Sequence, residues 1–311
     1  MTDSQTPPTD PGPTAIPVAR TARNTPQGLI WALVSVMGAS LMTLAVRGVT
    51  LEVDSRMAVL FRAGITSILI ALVLILFAGA RRQMRFSRPG QHLLRGALIG
   101  VSTNLGFYTL AHIPLGTATV LFFMGPIFAA AMGVIMHGES IGPRRIAAIA
   151  AGFIGALIII RPGFEAFHPA MLAALGSSLL FAMALTMSRN LANADGALST
   201  YFSSVVITVL VTLPVALPVW EMPTKWITWG SVAALVAFST LRGIADIQAY
   251  RHADAALIAP VSYLRLVVIG FAAWLLFGET IDNATLTGAA VIIGATLYIA
   301  RRESRARSRG G

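Results

Sequence analysis

The 311-residue chain contains no cysteine. That absence excludes disulfides, a thiol nucleophile and thiolate-bound metal. Charge is scarce too: Asp, Glu, Lys and Arg make up 12% of residues, against roughly 25% in a soluble globular chain. The 5 histidines are scattered, with His112 and His252 in opposite loops, so they assemble no metal site. No Gly-x-x-x-x-Gly-Lys run is present, and a P-loop therefore does not energise the protein. A membrane-embedded lipid-modifying enzyme, the remote alternative, would gather His, Asp or Glu at one membrane face; the sequence has no such cluster. The formal charge is +10, but the arginines form no stripe with interleaved aromatics, which argues against nucleic acid as a partner.

What fills the chain is apolar. Hydrophobic residues account for 56% and mean hydropathy is +0.75, more apolar surface than one water-soluble core of this size can hide. A helix needs about 20 apolar residues to cross the hydrocarbon core. Segments of that kind run over 28–46, 57–80, 92–111, 115–136, 143–160, 169–188, 200–219, 228–249, 254–277 and 283–300. The expected fold is all-α and integral to the membrane, with ten transmembrane helices. Residues 1–27, broken by Pro7, Pro8, Pro11, Pro13, Pro17 and Pro26, read as a disordered cytoplasmic tail. A signal peptide is the competing reading of the first apolar run, but it would not normally precede nine more spans. Residues 303–311 read as a basic cytoplasmic tail.

Orientation follows from the arginines. With the N-terminus inside, sixteen basic residues fall in inner segments, among them Arg81, Arg82, Arg144, Arg145, Arg301 and Arg302. Four (Arg47, Arg56, Arg161, Lys225) fall outside. Both ends are therefore expected in the cytoplasm, at the inner membrane of a bacterium. At an offset of 140 residues the second half repeats the first. Gly138-Glu139-Ser140-Ile141 matches Gly278-Glu279-Thr280-Ile281, and 137–161 is identical to 277–301 at seven of 25 positions. Each half has an odd number of spans, so 28–161 and 162–302 form two inverted five-helix repeats, the usual architecture of secondary transporters.

Charges inside the spans mark the candidate site, since each costs roughly 2.5–3.5 kcal/mol at the bilayer centre. Arg265 lies near the midplane, and it either pairs with Asp246 or anchors a substrate carboxylate, phosphate or polar ring. Arg242 and Asp246 share a helix face at i, i+4. They form a local salt bridge, or Asp246 is a protonatable group that couples proton entry to conformational change. Arg62 either snorkels outward or lines a vestibule. Pro126 and Pro260 break spans four and nine; at the 140 offset they pair with Leu266 and Val120, so the two breaks are expected to be asymmetric. Trp31, Tyr108, Phe123 and Tyr263 supply aromatic surfaces, and Asn104 and Gln248 uncharged polar groups. Small residues at spacing four (Gly96 and Gly100; Ala148, Gly152 and Ala156; Ala290 and Gly294) allow close helix approach. Spans five and ten, otherwise apolar, are assigned to support or dimer contact, leaving monomer and homodimer both open.

Trp31, Phe61-Arg62-Ala63, Gly116-Thr117-Ala118 leading to Met124-Gly125-Pro126, and Gly138-Glu139 recur in outline as Ala255-Ala256-Leu257-Ile258-Ala259-Pro260, Tyr263-Leu264-Arg265 and Phe277-Gly278-Glu279. Together, over about residues 28–302, they resemble the drug/metabolite transporter superfamily, in particular its ten-helix EamA-type members. The resemblance implies a transporter without a cofactor of its own, and a vestibule role for Arg62. The expected function is alternating-access transport of a small polar or amphipathic metabolite. Three arginines against one acid in the spans favour an amino-acid-like, anionic or zwitterionic compound. The alternative is import of a planar vitamin or cofactor such as riboflavin or S-adenosylmethionine, for which the family supplies precedent. Expected partners are the small-molecule substrate, protons and bilayer lipid.

Overall fold

A computed structural model describes residues 25–137, 143–161, 167–252, 258 and 261–309. Among them the regular structure is helical, without a strand. In chain order the helices are α1 (Thr25–Thr50), α2 (Ser55–Leu76), the short α3 (Ala78–Arg82), α4 (Pro89–His112), α5 (Leu115–Phe122), α6 (Gly125–His137), α7 (Pro143–Ile160), α8 (Pro169–Asp195), α9 (Ala197–Ala216), α10 (Trp226–His252), α11 (Leu264–Phe277) and α12 (Asn283–Arg309). Residues 1–24 of the expected tail, as well as Glu139 and Pro260, lie outside the described residues.

Local chemistry sets the ends. Asp54 caps α2 by accepting from the Arg56 N–H, and His168 caps α8, with Pro169 preset at its first position. Gly196 (φ 87°) and Gly278 (φ 67°) close α8 and α11 in conformations that favour glycine. α12 continues through the expected basic tail to Arg309; arginine and alanine are good helix formers, and cations at a C-terminus suit the helix dipole.

Five helical stretches are long and apolar enough to cross a bilayer: Pro26–Thr50, Ser55–Leu76, Pro169–Ser188, Ala197–Val219 and Trp226–Asp246. Shorter apolar helices run over Leu115–Ala129, Ile146–Ile160, Leu264–Phe277 and Asn283–Ile299. Large apolar side chains stand exposed along α2 (Ile68, Leu72, Ile75, Leu76) and α11 (Val267, Phe271, Leu275). Water would not tolerate such a surface, and lipid does.

The most extensive packing joins α1 to α10, then α4 to α8, α7 to α12 and α4 to α9. Glycine permits the closest approaches. A Cβ on Gly38 would stand 3.3 Å from the Arg242 backbone nitrogen, and one on Gly288 2.7 Å from the Gly155 carbonyl oxygen. Spans five and ten thus pack on each other through Gly155 and Gly288. Gly294, expected at that contact, has no neighbour within 4 Å of an added Cβ. Gly96 does face its neighbour closely, at Ile207 of α9.

The fourth span is divided. The N–H groups of Phe123 and Met124 donate to the Val120 and Leu121 carbonyls at 3.0 and 3.1 Å, a three-residue register that ends α5 before α6 begins. Pro126 sits in the first turn of α6, where its missing N–H costs nothing. A second junction stands at Tyr263, just before α11. The interruptions at Phe123 and Tyr263 are therefore 140 residues apart, and their rings meet edge to face at 5.0 Å. In the fourth span the backbone thus changes register at Phe123, three residues before Pro126, while the other proline of the expectation, Pro260, lies outside the described residues.

Candidate functional site

Four helices bring charge together inside the bundle. From α10, Arg242 Nε lies 3.6 Å from Asp246 Oδ2, one turn on. From α1, the buried Ser35 hydroxyl donates a short hydrogen bond to Asp246 Oδ1. Thr43, two turns further along α1, accepts from Arg265 Nη2 at 2.9 Å. From α2, the Arg62 guanidinium lies 5.7 Å above the Phe107 ring of α4, within cation–π range. Arg242 is close enough to repel both Arg62 and Arg265. Asp246 is thus paired with Arg242 and within electrostatic range of Arg265, while Arg62 is linked to this group through Arg242.

At 1.5 Å per residue, Arg62 lies about 10 Å along α2 from Ser55, Arg265 about 18 Å back along α11 from Phe277, and Arg242 about 24 Å along α10 from Trp226. The charges descend stepwise from the end of the bundle that carries Ser55, Trp226 and Phe277. Hydrogen bonding is uneven. Arg265 has Thr43 as its partner and keeps a buried Nε–H without one; Arg62 Nε is likewise buried and unpaired. Arg265 thus bonds Thr43, where an ion pair with Asp246 was one expectation, and Asp246 is held by Arg242 and Ser35.

Other expected site residues go elsewhere. Trp31 packs with Ala32, Ala249, Ile258 and Val261, toward the opposite end of α1. Asn104 donates to the Gly100 carbonyl and to Thr212 Oγ1 at 2.8 Å, a strut between α4 and α9. Tyr108 lies against His112 at 4.1 Å between ring centroids. The Gln248 carbonyl accepts from His252 Nδ1. Tyr263 contacts Phe123 and reaches the Thr296 hydroxyl on α12. An apolar groove of about 510 Å³ between α2 and α10, lined by Ile65, Leu69, Trp229, Val232 and Val236, has no charged lining and is distinct from the arginine cluster.

Sequence reasoning missed Ser35 and Thr43. Their signal was available: hydroxyls eight residues apart lie on one face of an otherwise apolar helix.

Both ends of the bundle are tied. At the Ser55 end, Arg47 donates to the Ala111 and Ile113 carbonyls and to Glu279 Oε1 at 2.7 Å, while Glu279 Oε2 accepts from the Leu115 N–H at 2.7 Å. Arg161 bonds Asp282. Glu52 accepts from the Thr224 and Thr228 hydroxyls and the Thr224 and Lys225 N–H groups, and these bonds hold its carboxyl down at about 2. At the other end Asp195, buried, accepts from the Ser87 hydroxyl and N–H and from His92; hydrogen bonding, Ser87 foremost, keeps its carboxyl at about 2.

The profile of the EamA-like transporter family matches the chain twice, over residues 26–161 and 168–301. Among characterised proteins the chain is similar to an S-adenosylmethionine uptake transporter of Rickettsia felis, 31% identical over 287 residues, covering 91% of this chain and 95% of the relative. It is also similar to a riboflavin transporter of Vibrio cholerae, 26% identical over 282 residues (90% and 94% covered). A third relative is the pseudopaline exporter CntI of Pseudomonas aeruginosa, 26% identical over 278 residues (88% and 96% covered). One solved crystal structure superposes with a TM-score of 0.55 at 17% identity, over 90% of this chain and 99% of its own, which shows a shared fold.

Proposed function

Because this chain belongs to the EamA-like transporter family, we propose that it imports a planar cofactor of the S-adenosylmethionine or riboflavin kind. It is a multi-pass membrane transporter and not an enzyme, as the family and the relatives named above are. The observation that carries the choice of cargo is 31% identity to an S-adenosylmethionine uptake transporter along nearly the full length of both chains. The planar-cofactor reading replaces the plain amino-acid-like one, which rested on the arginine count alone.

Alternating access accounts for the arrangement. In this reading two five-helix repeats of opposite orientation, with both termini in the cytoplasm and the chain in the inner membrane, would carry the Arg62–Arg265–Arg242 series through the bilayer. Cargo binds at Arg265, Tyr263 and Phe123, with Arg62 nearer the outer mouth. Trp31, Asn104 and Tyr108 make their contacts away from that cluster and act as scaffold. Asp246, held between Ser35 and Arg242, is the group through which protons would drive uptake.

Uptake of labelled S-adenosylmethionine and riboflavin into proteoliposomes, with and without an imposed proton gradient, tests this. Gradient-stimulated accumulation of either compound is expected. Liposomes that accumulate neither while releasing preloaded pseudopaline would assign the chain to export, as the relation to the pseudopaline exporter allows.

A further inference from the structure

The arginines of this chain differ in what they already hold. Arg47 spends its two terminal nitrogens on two backbone carbonyls and a carboxylate, and is a structural clamp. Arg265 holds one hydroxyl, and among the described residues Arg62 has a ring face and no hydrogen-bond acceptor. Both keep a buried Nε–H unpaired. Asp246, the carboxylate in range of Arg265, is occupied by Arg242 and Ser35. Excess positive charge and spare donors are bearable while water fills the space between these helices. Occlusion during transport expels that water, and an unpaired buried charge then opposes closure. Whatever closes the site must present an anionic or strongly accepting group directly to these donors.

Resting on the cofactor reading above, we infer that Arg265 forms a carboxylate-binding site and that the cargo is a planar cofactor with an amino-acid head. A flavin offers carbonyl acceptors but no charge, and it leaves the cluster uncompensated. S-adenosylmethionine ends in a carboxylate with two oxygens and about four lone-pair positions, a match for guanidinium forks. Its ammonium and sulfonium are repelled by the same cluster. The carboxylate is thus the one part of the molecule drawn inward, and the cofactor is oriented carboxylate first.

The test is a binding series on the purified full-length protein by thermal shift, with S-adenosylmethionine, its decarboxylated analogue and riboflavin. S-adenosylmethionine is expected to bind at least about tenfold more tightly than the decarboxylated compound, the value of one charge-assisted hydrogen-bonded pair. Arg265→Gln is expected to erase that ratio, and Arg265→Lys to restore part of it. The ratio within each variant is independent of its overall stability, so a merely weakened fold does not mimic the result. Equal binding of the two adenosyl compounds, or tight riboflavin with no S-adenosylmethionine, overturns the carboxylate site and leaves the cofactor reading standing. No stabilisation by any of the three overturns the cofactor reading and the carboxylate site together.

Discussion

Glu279 offers the sharpest test of how the Ser55 end of the bundle is held. Its two oxygens do two jobs: Oε1 takes Arg47 Nη2 and Oε2 takes the Leu115 N–H at the start of α5, each at 2.7 Å. Truncation in Glu279→Ala strands both donors. Losing an acceptor at a helix N-terminus costs about 1 kcal/mol. The ion pair is 13% and 19% exposed on its two sides, between the ~1 kcal/mol of an exposed pair and the 3–5 kcal/mol lost when a buried one is broken, so about 2 kcal/mol is appropriate. The sum, about 3 kcal/mol, corresponds to a fall in Tm of about 6–12 °C for a chain of this size. Glu279→Gln keeps an acceptor for Leu115 and should lose about half as much. Thermal unfolding in detergent of Glu279→Ala, Arg47→Met and the double variant completes the cycle, and a coupling of more than about 1 kcal/mol is expected. A Glu279→Ala protein melting within a degree of the parent would refute the clamp.

Four further outcomes follow from the same geometry. Arg265→Ala should abolish uptake while membrane insertion and melting stay near normal; full flux from a well-inserted variant removes Arg265 from the site. Asp246→Asn should leave cargo binding intact and make uptake indifferent to an imposed pH gradient, read as the ratio of flux with and without the gradient. Asp195 and Glu52 have carboxyl groups depressed to about 2, below the roughly 4 expected when unfolded. Their contribution is therefore complete above about pH 5 and lost as pH falls toward 2, and Asp195→Asn should flatten acid unfolding over that window. Gly288→Ala places a Cβ 2.7 Å from the Gly155 carbonyl oxygen and 2.4 Å from Ile159 Cγ1; it should cost about 1–3 kcal/mol by overpacking, measured as a lower melting temperature with unchanged cargo affinity.

Much of this molecule was legible because a bilayer simplifies the code. Runs of about 20 apolar residues have little option but helix, and helix positions followed closely. Arg62, Arg242, Asp246 and Arg265 stood out because charge in hydrocarbon demands a reason. Less legible was which of them would touch. A helix face fixes the Arg242–Asp246 spacing, but the partners Ser35 and Thr43 come from α1, and no local rule in the sequence brings α1 against α10. That contact depends on Gly38 admitting the Arg242 backbone. Asn104 and Tyr108 are hard to read for the opposite reason. Polar and aromatic residues in a span serve interhelical bonding and packing as readily as cargo, and only the fold shows that Asn104 reaches Thr212.

The helix interruptions carry the argument one step further. Proline was the obvious marker, yet Pro126 lies inside a turn it does not disturb, and the chain breaks at Phe123 and Tyr263. Their dihedrals are nearly helical, φ −69° and ψ −4° at Phe123 and φ −75° and ψ −17° at Tyr263. Against a helical ψ of about −42°, each needs a rotation of only about 25–40° to rejoin its helix. Phe123 keeps its N–H, so the four-residue bond given up at that break can form again. A proline kink lacks that donor and is fixed. The two interruptions stand 140 residues apart with their rings in contact at 5.0 Å, so a shift of either ring displaces its neighbour. Because Arg265 lies two residues beyond Tyr263, any such motion also repositions the guanidinium. On the proposed reading that cargo is held at Arg265, its binding would be felt at both rings.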